Sequence, residues 1–130
     1  MNVPVLRRRV LQLIGILFIP AKAVASGLSN KWRIQCSGGA DSDGQIVFLI
    51  TPEDEDAIEI AVDIPDGTGE NRVAKIIVKT MKAHLDKHNF HIERDDGEDV
   101  LVKKRHGAHR FALEIVSNTV DGVRLNPDKE

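Results

Sequence analysis

Residues 68–89 read TGENRVAKIIVKTMKAHLDKHN, and this stretch decides the fold. At about 3.6 residues per turn, its apolar side chains fall on one side of a helix. That side carries Val73, Ile76, Ile77, Thr80, Met81, His84, Leu85 and His88. The opposite side carries Lys75, Lys79, Lys82 and Asp86. This recurrence predicts an amphipathic helix with one buried stripe.

The two ends of the stretch carry helix-boundary signals. Thr68 is placed to cap the first turn, and Glu70 lies near the positive end of the helix dipole. Lys87 and His88 lie near the negative end, and Asn89 tolerates the left-handed backbone that terminates many helices. We therefore expect one helix over nearly the whole stretch.

The remaining apolar segments are short and are bounded by turn residues, which predicts strands. They comprise residues 31–37, 45–51, 57–64, 90–94, 100–103, 111–115 and 120–125. Residues 45–51 (QIVFLIT) are apolar on both alternating faces, as in a central strand that is covered on both sides. Residues 57–64 alternate between apolar and polar side chains, as in a strand with one wet face.

No other segment is long enough to form a second globular helix, so we expect the strands to bury their apolar faces against this one. The sequence thus predicts an α+β fold in which one amphipathic helix packs on a mainly antiparallel sheet of about five or six strands. In this interpretation residues 26–44 form a polar N-terminal lead-in, residues 45–125 the single α+β domain, and residues 126–130 a tail.

The loop between the two strands after the helix sets their register. A three-residue loop, Asp95-Asp96-Gly97, pairs Phe90 with Val102 and Ile92 with Val100, and it places Gly97 where positive φ is required. A two-residue turn would place apolar side chains opposite polar ones. Because register follows the apolar pattern, we expect the three-residue loop.

The first 25 residues have the three parts of an export signal. A basic region at residues 7–9 precedes an apolar region at residues 10–19, and Ala23-Val24-Ala25 supplies a cleavage site. The apolar region is shorter than the roughly 20 residues that span a bilayer. We expect a periplasmic or secreted mature protein without a membrane span. An uncleaved anchor is the alternative, and the arginines leave the secretory and twin-arginine routes open.

The charge balance limits the classes of partner. Residues 1–25 contain four of the 18 basic residues and none of the 20 acidic residues, so the remainder has 14 basic groups and a net charge of −6. Binding to nucleic acid needs a basic footprint, and stacking on sugars or bases needs aromatic side chains. The chain has no tyrosine and one tryptophan, so we expect no nucleic-acid partner. Cys36 is the one cysteine, which excludes an internal disulfide.

Residues 58–125 resemble a module of phage tail and bacterial surface proteins. In that module a strand leads into a Gly-Thr turn, then a helix with Val-Ala and paired aliphatic residues, then a hairpin and a further strand. The matching residues are Gly67, Thr68, Val73, Ala74, Ile76, Ile77, Leu85, Val100, Leu101, Val102, Gly107 and Leu113. The resemblance covers about half of the chain and implies a structural or interaction role, with no catalytic residues to carry over.

Three histidines form a candidate metal site. His84 and His88 are four residues apart on the predicted helix, and His91 follows them closely. A His-x3-His pair can hold zinc or copper when a third ligand is near. The alternative is that His84 is a packed, hydrogen-bonded core residue, because it falls in the apolar stripe. No glutamate adjoins His84, which excludes a zinc-protease helix.

The sequence lacks the patterns that accompany common catalytic residues. Cys36 and Ser37 are not surrounded by a cysteine-protease signature or a G-x-S-x-G elbow. Residues 41–44 (DSDG) open like a calcium loop, but Ile46 and Pro52 occupy positions that require glycine and glutamate. We expect no catalytic residue, cofactor or metal. A metal or small anionic ligand binder, and a minor enzyme of unknown class, are kept as alternatives.

Residues 104–110, which we call the basic loop, are the most unusual exposed feature. The candidate partner-binding residues are Lys104, Arg105, His106, His109 and Arg110. An acidic loop at residues 53–56 (EDED) carries the opposite charge, and the two loops can meet within one copy or between copies. The functional interpretation is a docking patch for an unknown protein or an anionic surface, with self-association as a further option. A solvated hairpin tip is the alternative. Our leading hypothesis is a non-catalytic exported domain that acts by protein contact or as a structural subunit.

The export signal predicts a mature protein that begins at Ser26, because the Ala23-Val24-Ala25 site follows an apolar region of ordinary signal length. The intact mass of protein purified from the cell envelope should therefore lack residues 1–25. A mass that retains them would contradict both the cleavage and the predicted localisation.

Overall fold

The computed structural model describes residues 27–130, so the predicted export signal and its cleavage site lie outside the described residues. This part of the chain forms seven strands and one helix. In order they are β1 (Lys31–Ser37), β2 (Gly44–Pro52), β3 (Ile58–Ile64), α1 (Glu70–His84), β4 (Phe90–Asp95), β5 (Asp99–Lys104), β6 (Phe111–Asn118) and β7 (Arg124–Lys129). Within residues 27–130 no helix is long and apolar enough to cross a bilayer.

The strands form two antiparallel sheets. One has four strands in the order β4-β5-β1-β7, and the other has three in the order β3-β2-β6. The central position of β2 agrees with its apolar residues on both faces. The inner faces of both sheets contribute to one hydrophobic core, together with the buried side of α1.

The predicted α+β fold, with one helix on one sheet, is wrong. Strands make up 48% of the described residues and the helix 14%, so the fold is closer to all-β. The physical reason is area, because α1 buries only five of its 15 residues and this stripe cannot cover seven strands. The sheets therefore share one core, and α1 contacts β3 of one sheet and β4, β5 and β1 of the other.

The predicted lead-in and tail both contribute strands to the four-stranded sheet. Trp32, Ile34 and Cys36 on β1 are in the core, and β1 lies between β5 and β7. The last strand begins at Arg124, not at residue 120, and continues through most of the predicted tail. The domain boundaries at 45–125 were therefore too narrow, because pairing with β1 orders residues whose own pattern is polar.

Gly122 lies in a turn before β7. Its φ is +88°, and a Cβ atom there would lie 2.4 Å from the carbonyl oxygen of Gly39 and 2.6 Å from the carboxylate of Asp41. Only glycine fits this combination of positive φ and close approach. The turn carries Val120 and Val123 into the core on either side.

The helix is shorter than predicted, and its buried face is rotated. Thr68 does not cap it, because its hydroxyl donates to the carbonyl of Pro65 at 2.7 Å and Gly69 is the N-cap residue. Leu85, with an extended backbone, ends the helix well before Asn89. The buried residues are Val73, Ala74, Ile77, Val78 and Met81.

The β4–β5 register differs from the prediction by two residues. Ile92 pairs with Val102 and Arg94 with Val100, and the three-residue loop is Asp96-Gly97-Glu98. The positive φ predicted for Gly97 is confirmed at +80°. Because side chains alternate with a period of two, a shift of two residues leaves every side chain on its predicted face. The apolar pattern therefore could not distinguish the two registers.

The substitution Ile77→Asp should abolish folding, because Ile77 is fully buried and the new carboxylate would have no partner, at a cost of several kcal/mol. Lys79→Asp, on the exposed side of α1, is the matched control and should keep the thermal stability of the wild type. Thermal unfolding followed by circular dichroism measures both. Equal melting temperatures for the two variants would contradict this placement of the helix.

Candidate interaction surface

The described surface offers charged groups and little apolar area. Val116 is the one large apolar side chain within residues 27–130 that is mostly exposed, at 52%. Its exposure has a local cause. Val47 pairs with Ser117 and Phe48 with Ile115, so Val116 is the extra residue of a β-bulge and faces no partner residue. A partner that binds this part of the chain must therefore contact mainly charged and hydrogen-bonding groups.

The acidic and basic loops meet within one copy. Pro52 at the end of β2 pairs with Phe111 at the start of β6, so the two loops leave the sheet side by side. The guanidinium of Arg110 contacts Glu53 at 3.1 and 3.4 Å, and the amide of Glu53 donates to the carbonyl of Arg110 at 2.8 Å. His109 lies 3.6 Å from Glu55. His109 and Arg110, two of the five predicted partner-binding residues, are thus engaged inside the molecule.

The first half of the basic loop is anchored by its backbone and leaves its charges outside. The amide of Arg105 donates to the carbonyl of Asn89 at 2.8 Å, and its Nε atom donates to the carbonyl of Lys87 at 2.7 Å. The side chains of Arg105 and His106 are exposed, and that of Lys104 is half-buried. None of these three residues has a carboxylate partner within residues 27–130. We call Lys104, Arg105 and His106 the loop patch.

The structure does not bring together the three histidines of the candidate metal site. His84 is exposed at the end of α1, not packed in the core as predicted, and its Nδ1 atom lies 2.9 Å from the carbonyl of Thr80. His88 contacts Asp86 at 3.1 Å. His91 lies between Glu93 and a cation, with Nδ1 3.4 Å from the Arg105 guanidinium. No group of three or more His, Cys, Asp or Glu side chains within residues 27–130 is placed to hold a metal ion.

The other sequence candidates have structural roles. Cys36 is 1% exposed, and burial raises the pKa of its thiol to about 12, which suppresses the reactive thiolate. In the 41–44 turn, the Ser42 hydroxyl accepts the amide of Asp121 at 3.0 Å, and the Asp43 carboxylate accepts the amide of Asp66 at 2.8 Å. These oxygens fasten neighbouring loops to each other.

A cluster of ion pairs on the outer face of the four-stranded sheet was missed by the sequence analysis. The guanidinium of Arg33 contacts Asp99 at 2.7 Å, Asp95 at 3.0 Å and also Glu130, and Lys31 contacts Glu130 at 3.1 Å. Hydrogen bonds from Arg33 and then from Lys31 lower the pKa of the Glu130 carboxyl below its ordinary value. The alternation of β1 predicts that its basic side chains point outward, but their partners are too distant in sequence to be identified.

The exposed side of α1 holds a second basic group. The residues are Arg72, Lys75, Lys79 and Lys82, which we call the helix stripe. All four are exposed, and none forms an ion pair within residues 27–130. The sequence had placed the three lysines on the polar side of the helix. Asp86, which the sequence analysis placed on the same side, lies beyond the end of α1.

The chain matches no protein-family model and no curated protein. The resemblance of residues 58–125 to the phage-tail module therefore stays a prediction, carried by the residues named above.

Replacing Arg33 by Gln should return the pKa of Glu130 toward its ordinary value, because the main hydrogen-bond donor to its carboxylate is lost. A carboxyl whose pKa is lowered in the folded state contributes stability above its unfolded pKa, and this contribution is lost as pH falls through the lower folded pKa. The variant should therefore lose stability at neutral pH and show a weaker loss on acidification. Carboxyl NMR across the acidic range measures the pKa directly.

The internal control for this titration is Glu93, whose pKa is lowered mainly by a hydrogen bond from Lys103. The pKa of Glu93 should stay low in the Arg33→Gln variant. An unchanged midpoint for Glu130, with Glu93 also unchanged, would contradict the assigned ion pairs.

Proposed function

We propose that this protein is a non-catalytic interaction domain that binds an acidic protein partner through the loop patch. The observation that carries the proposal is a basic segment whose backbone is held in place while its charges stay unpaired. The amides of Lys104 and Arg105 donate to Asn30 and Asn89 at 2.9 and 2.8 Å. Ordering these side chains on a partner therefore costs less conformational entropy than ordering a mobile loop would.

The pairing of Arg110 with Glu53 supports the same proposal. It fixes the far end of the basic loop to the acidic loop and pairs the Arg110 guanidinium with a carboxylate, while His109 lies 3.6 Å from Glu55. What remains for a partner is a compact group beside Lys87 and His91, since Arg105 contacts both. A compact cationic group suits carboxylates presented by a folded protein surface.

The net charge shapes how such a contact would work. Residues outside the predicted signal have a net charge of −6, so an acidic partner is repelled at long range. The loop patch then acts at short range, where it fixes orientation and slows dissociation, instead of accelerating encounter. The contact should weaken as salt rises, because the Debye length is about 10 Å at 0.1 M salt.

The proposed place of action is the periplasm or the cell exterior. The support for this is the sequence of residues 1–25, with its basic region, apolar region and cleavage site. The proposed role as a structural or interaction module also agrees with what the resemblance to phage tail and bacterial surface proteins implies.

The double variant Lys104→Glu, Arg105→Glu should lose the acidic partner without unfolding. Arg110 is left unchanged, because a glutamate there would face Glu53. Cross-linking pull-down from the native envelope, at low and high salt, identifies partners, and titration with polyglutamate provides a defined acidic probe. Loss of about tenfold in affinity for polyglutamate at low salt is expected for two reversed contacts.

The matched control is Lys75→Glu, Lys79→Glu, which makes the same change in net charge on the helix stripe. It should keep the partner that the pull-down captures from the envelope. Equal retention of every partner by both variants at low salt would show that the basic loop is only a solvated tip.

A further inference from the structure

The helix stripe is a narrow band of positive charge. Its members stand at positions i, i+3, i+7 and i+10 of α1, which places them within an arc of about 80° over a length of about 15 Å. They are Arg72, Lys75, Lys79 and Lys82. All four are exposed, and no acidic side chain lies among them on this face of α1. The stripe is thus a continuous cationic surface on a domain whose net charge is negative.

This arrangement opposes the stability of the helix that carries it. Arg72 and Lys75, Lys75 and Lys79, and Lys79 and Lys82 are like-charged neighbours at spacings of three or four residues, which destabilise a helix. The part of the chain that the structure describes supplies no counterion to any of them. Residues 1–26 cannot supply one through their side chains, since they contain no Asp or Glu. Any fixed carboxylate partner of the stripe would therefore belong to another molecule.

A surface of opposite charge lies elsewhere on the same domain, where the ends of β3 and β6 meet the start of β2. It consists of five exposed aspartates, Asp41, Asp43, Asp63, Asp66 and Asp121, which we call the aspartate pole. Backbone and side-chain hydrogen bonds hold the pole together, including Asp66 N to Asp43 at 2.8 Å and Asp41 N to the Asp121 carbonyl at 2.8 Å.

The aspartate pole is as free of counterions as the helix stripe. None of its five carboxylates forms an ion pair within residues 27–130. The sequence explains why, because residues 34–71 and residues 111–123 contain no Lys or Arg. Pole and stripe also do not pair with each other inside one copy.

We propose that the helix stripe of one copy docks on the aspartate pole of a second copy. Both surfaces are present on every molecule, are of opposite sign and lack internal partners, so a second copy supplies the counterions that each surface needs. The two surfaces are different, so the contact is head-to-tail, and an open assembly has a free stripe at one end and a free pole at the other. Repetition of the contact builds a ring if it closes and a filament if it does not.

The charges favour a second copy over other polyanions. A nucleic acid or an anionic membrane would attract the stripe but would be repelled by the aspartate pole. A second copy has the same net charge of −6, but it offers a surface of opposite sign to the stripe and to the pole. The exposed side of α1 offers mainly lysine and arginine, so the contact depends on electrostatic complementarity and is sensitive to salt. This inference is independent of the loop patch and of the function proposed for it.

The proposal is tested with two variants, in each of which the charges of one surface are reversed. The stripe variant is Lys75→Glu, Lys79→Glu, and the pole variant is Asp63→Lys, Asp66→Lys. Sedimentation velocity at about 0.01 M and about 1 M salt, where the Debye length is about 30 and about 3 Å, measures association. The wild type should associate at low salt and dissociate at high salt. Each variant alone should associate at least about tenfold more weakly at low salt, because two contacts become repulsive.

A mixture of the stripe and pole variants should associate again. In the mixture the reversed stripe of one variant faces the reversed pole of the other, and the two unchanged surfaces also face each other. A general effect of net charge cannot produce this recovery. Circular dichroism confirms that both variants are folded before they are mixed.

Two controls match the variants in net charge. Lys104→Glu, Arg105→Glu reverses the loop patch and should keep the self-association of the wild type, although it should lose the acidic partner. Glu114→Lys, Asp128→Lys reverses two exposed acidic residues outside the pole. This variant should also keep the self-association of the wild type. A wild type that is monomeric at low salt, or a mixture that stays monomeric while both variants are folded, would overturn the proposal.

Discussion

The indole of Trp32 lies in the core and donates a hydrogen bond of 3.0 Å to the carbonyl of Phe111. This bond joins β1 of one sheet to β6 of the other, and Phe111 packs edge-to-face on Phe90 with ring centroids 5.3 Å apart. Phe111 also exchanges two backbone bonds with Ser29 at 3.0 Å. A buried indole N–H must find an acceptor, so this contact fixes how the two sheets lie on each other.

The arrangement of the loops depends on the same residue. Phe111 pairs with Pro52, so the chain leaves β2 and enters β6 at adjacent points. The acidic loop and the end of the basic loop are thereby held side by side, and Arg110 pairs with Glu53. The core thus places the end of the basic loop at Arg110 against a carboxylate. The loop patch, at the start of the basic loop, keeps its charges unpaired.

The charged groups divide into neutralised and unpaired sets. On the outer face of the four-stranded sheet, Arg33 lies against three carboxylates and Lys103 lies 2.8 Å from Glu93, so these two cations are neutralised. The helix stripe, the loop patch and the aspartate pole are unpaired within residues 27–130. Exposed pairs contribute little to stability, so folding does not require these sets to be paired. The two proposals above assign them to contacts between molecules.

The sequence by itself determined where strands β1 to β6 lie, that a helix lies within residues 68–89, and that Gly97 has positive φ. These features are set by local periodicity and by backbone sterics. It did not determine the ends of the helix or of β7. Only the tertiary structure decided that the strands form two sheets, that β1 and β7 belong to them, and that β4 and β5 pair two residues out of the predicted register. Register shifts of two preserve the pattern of faces, and ion pairs such as Arg33–Glu130 join residues that are close only after folding. The same reason explains why the sequence identified the cations of α1 and of the basic loop but could not tell which of them folding would leave without a partner.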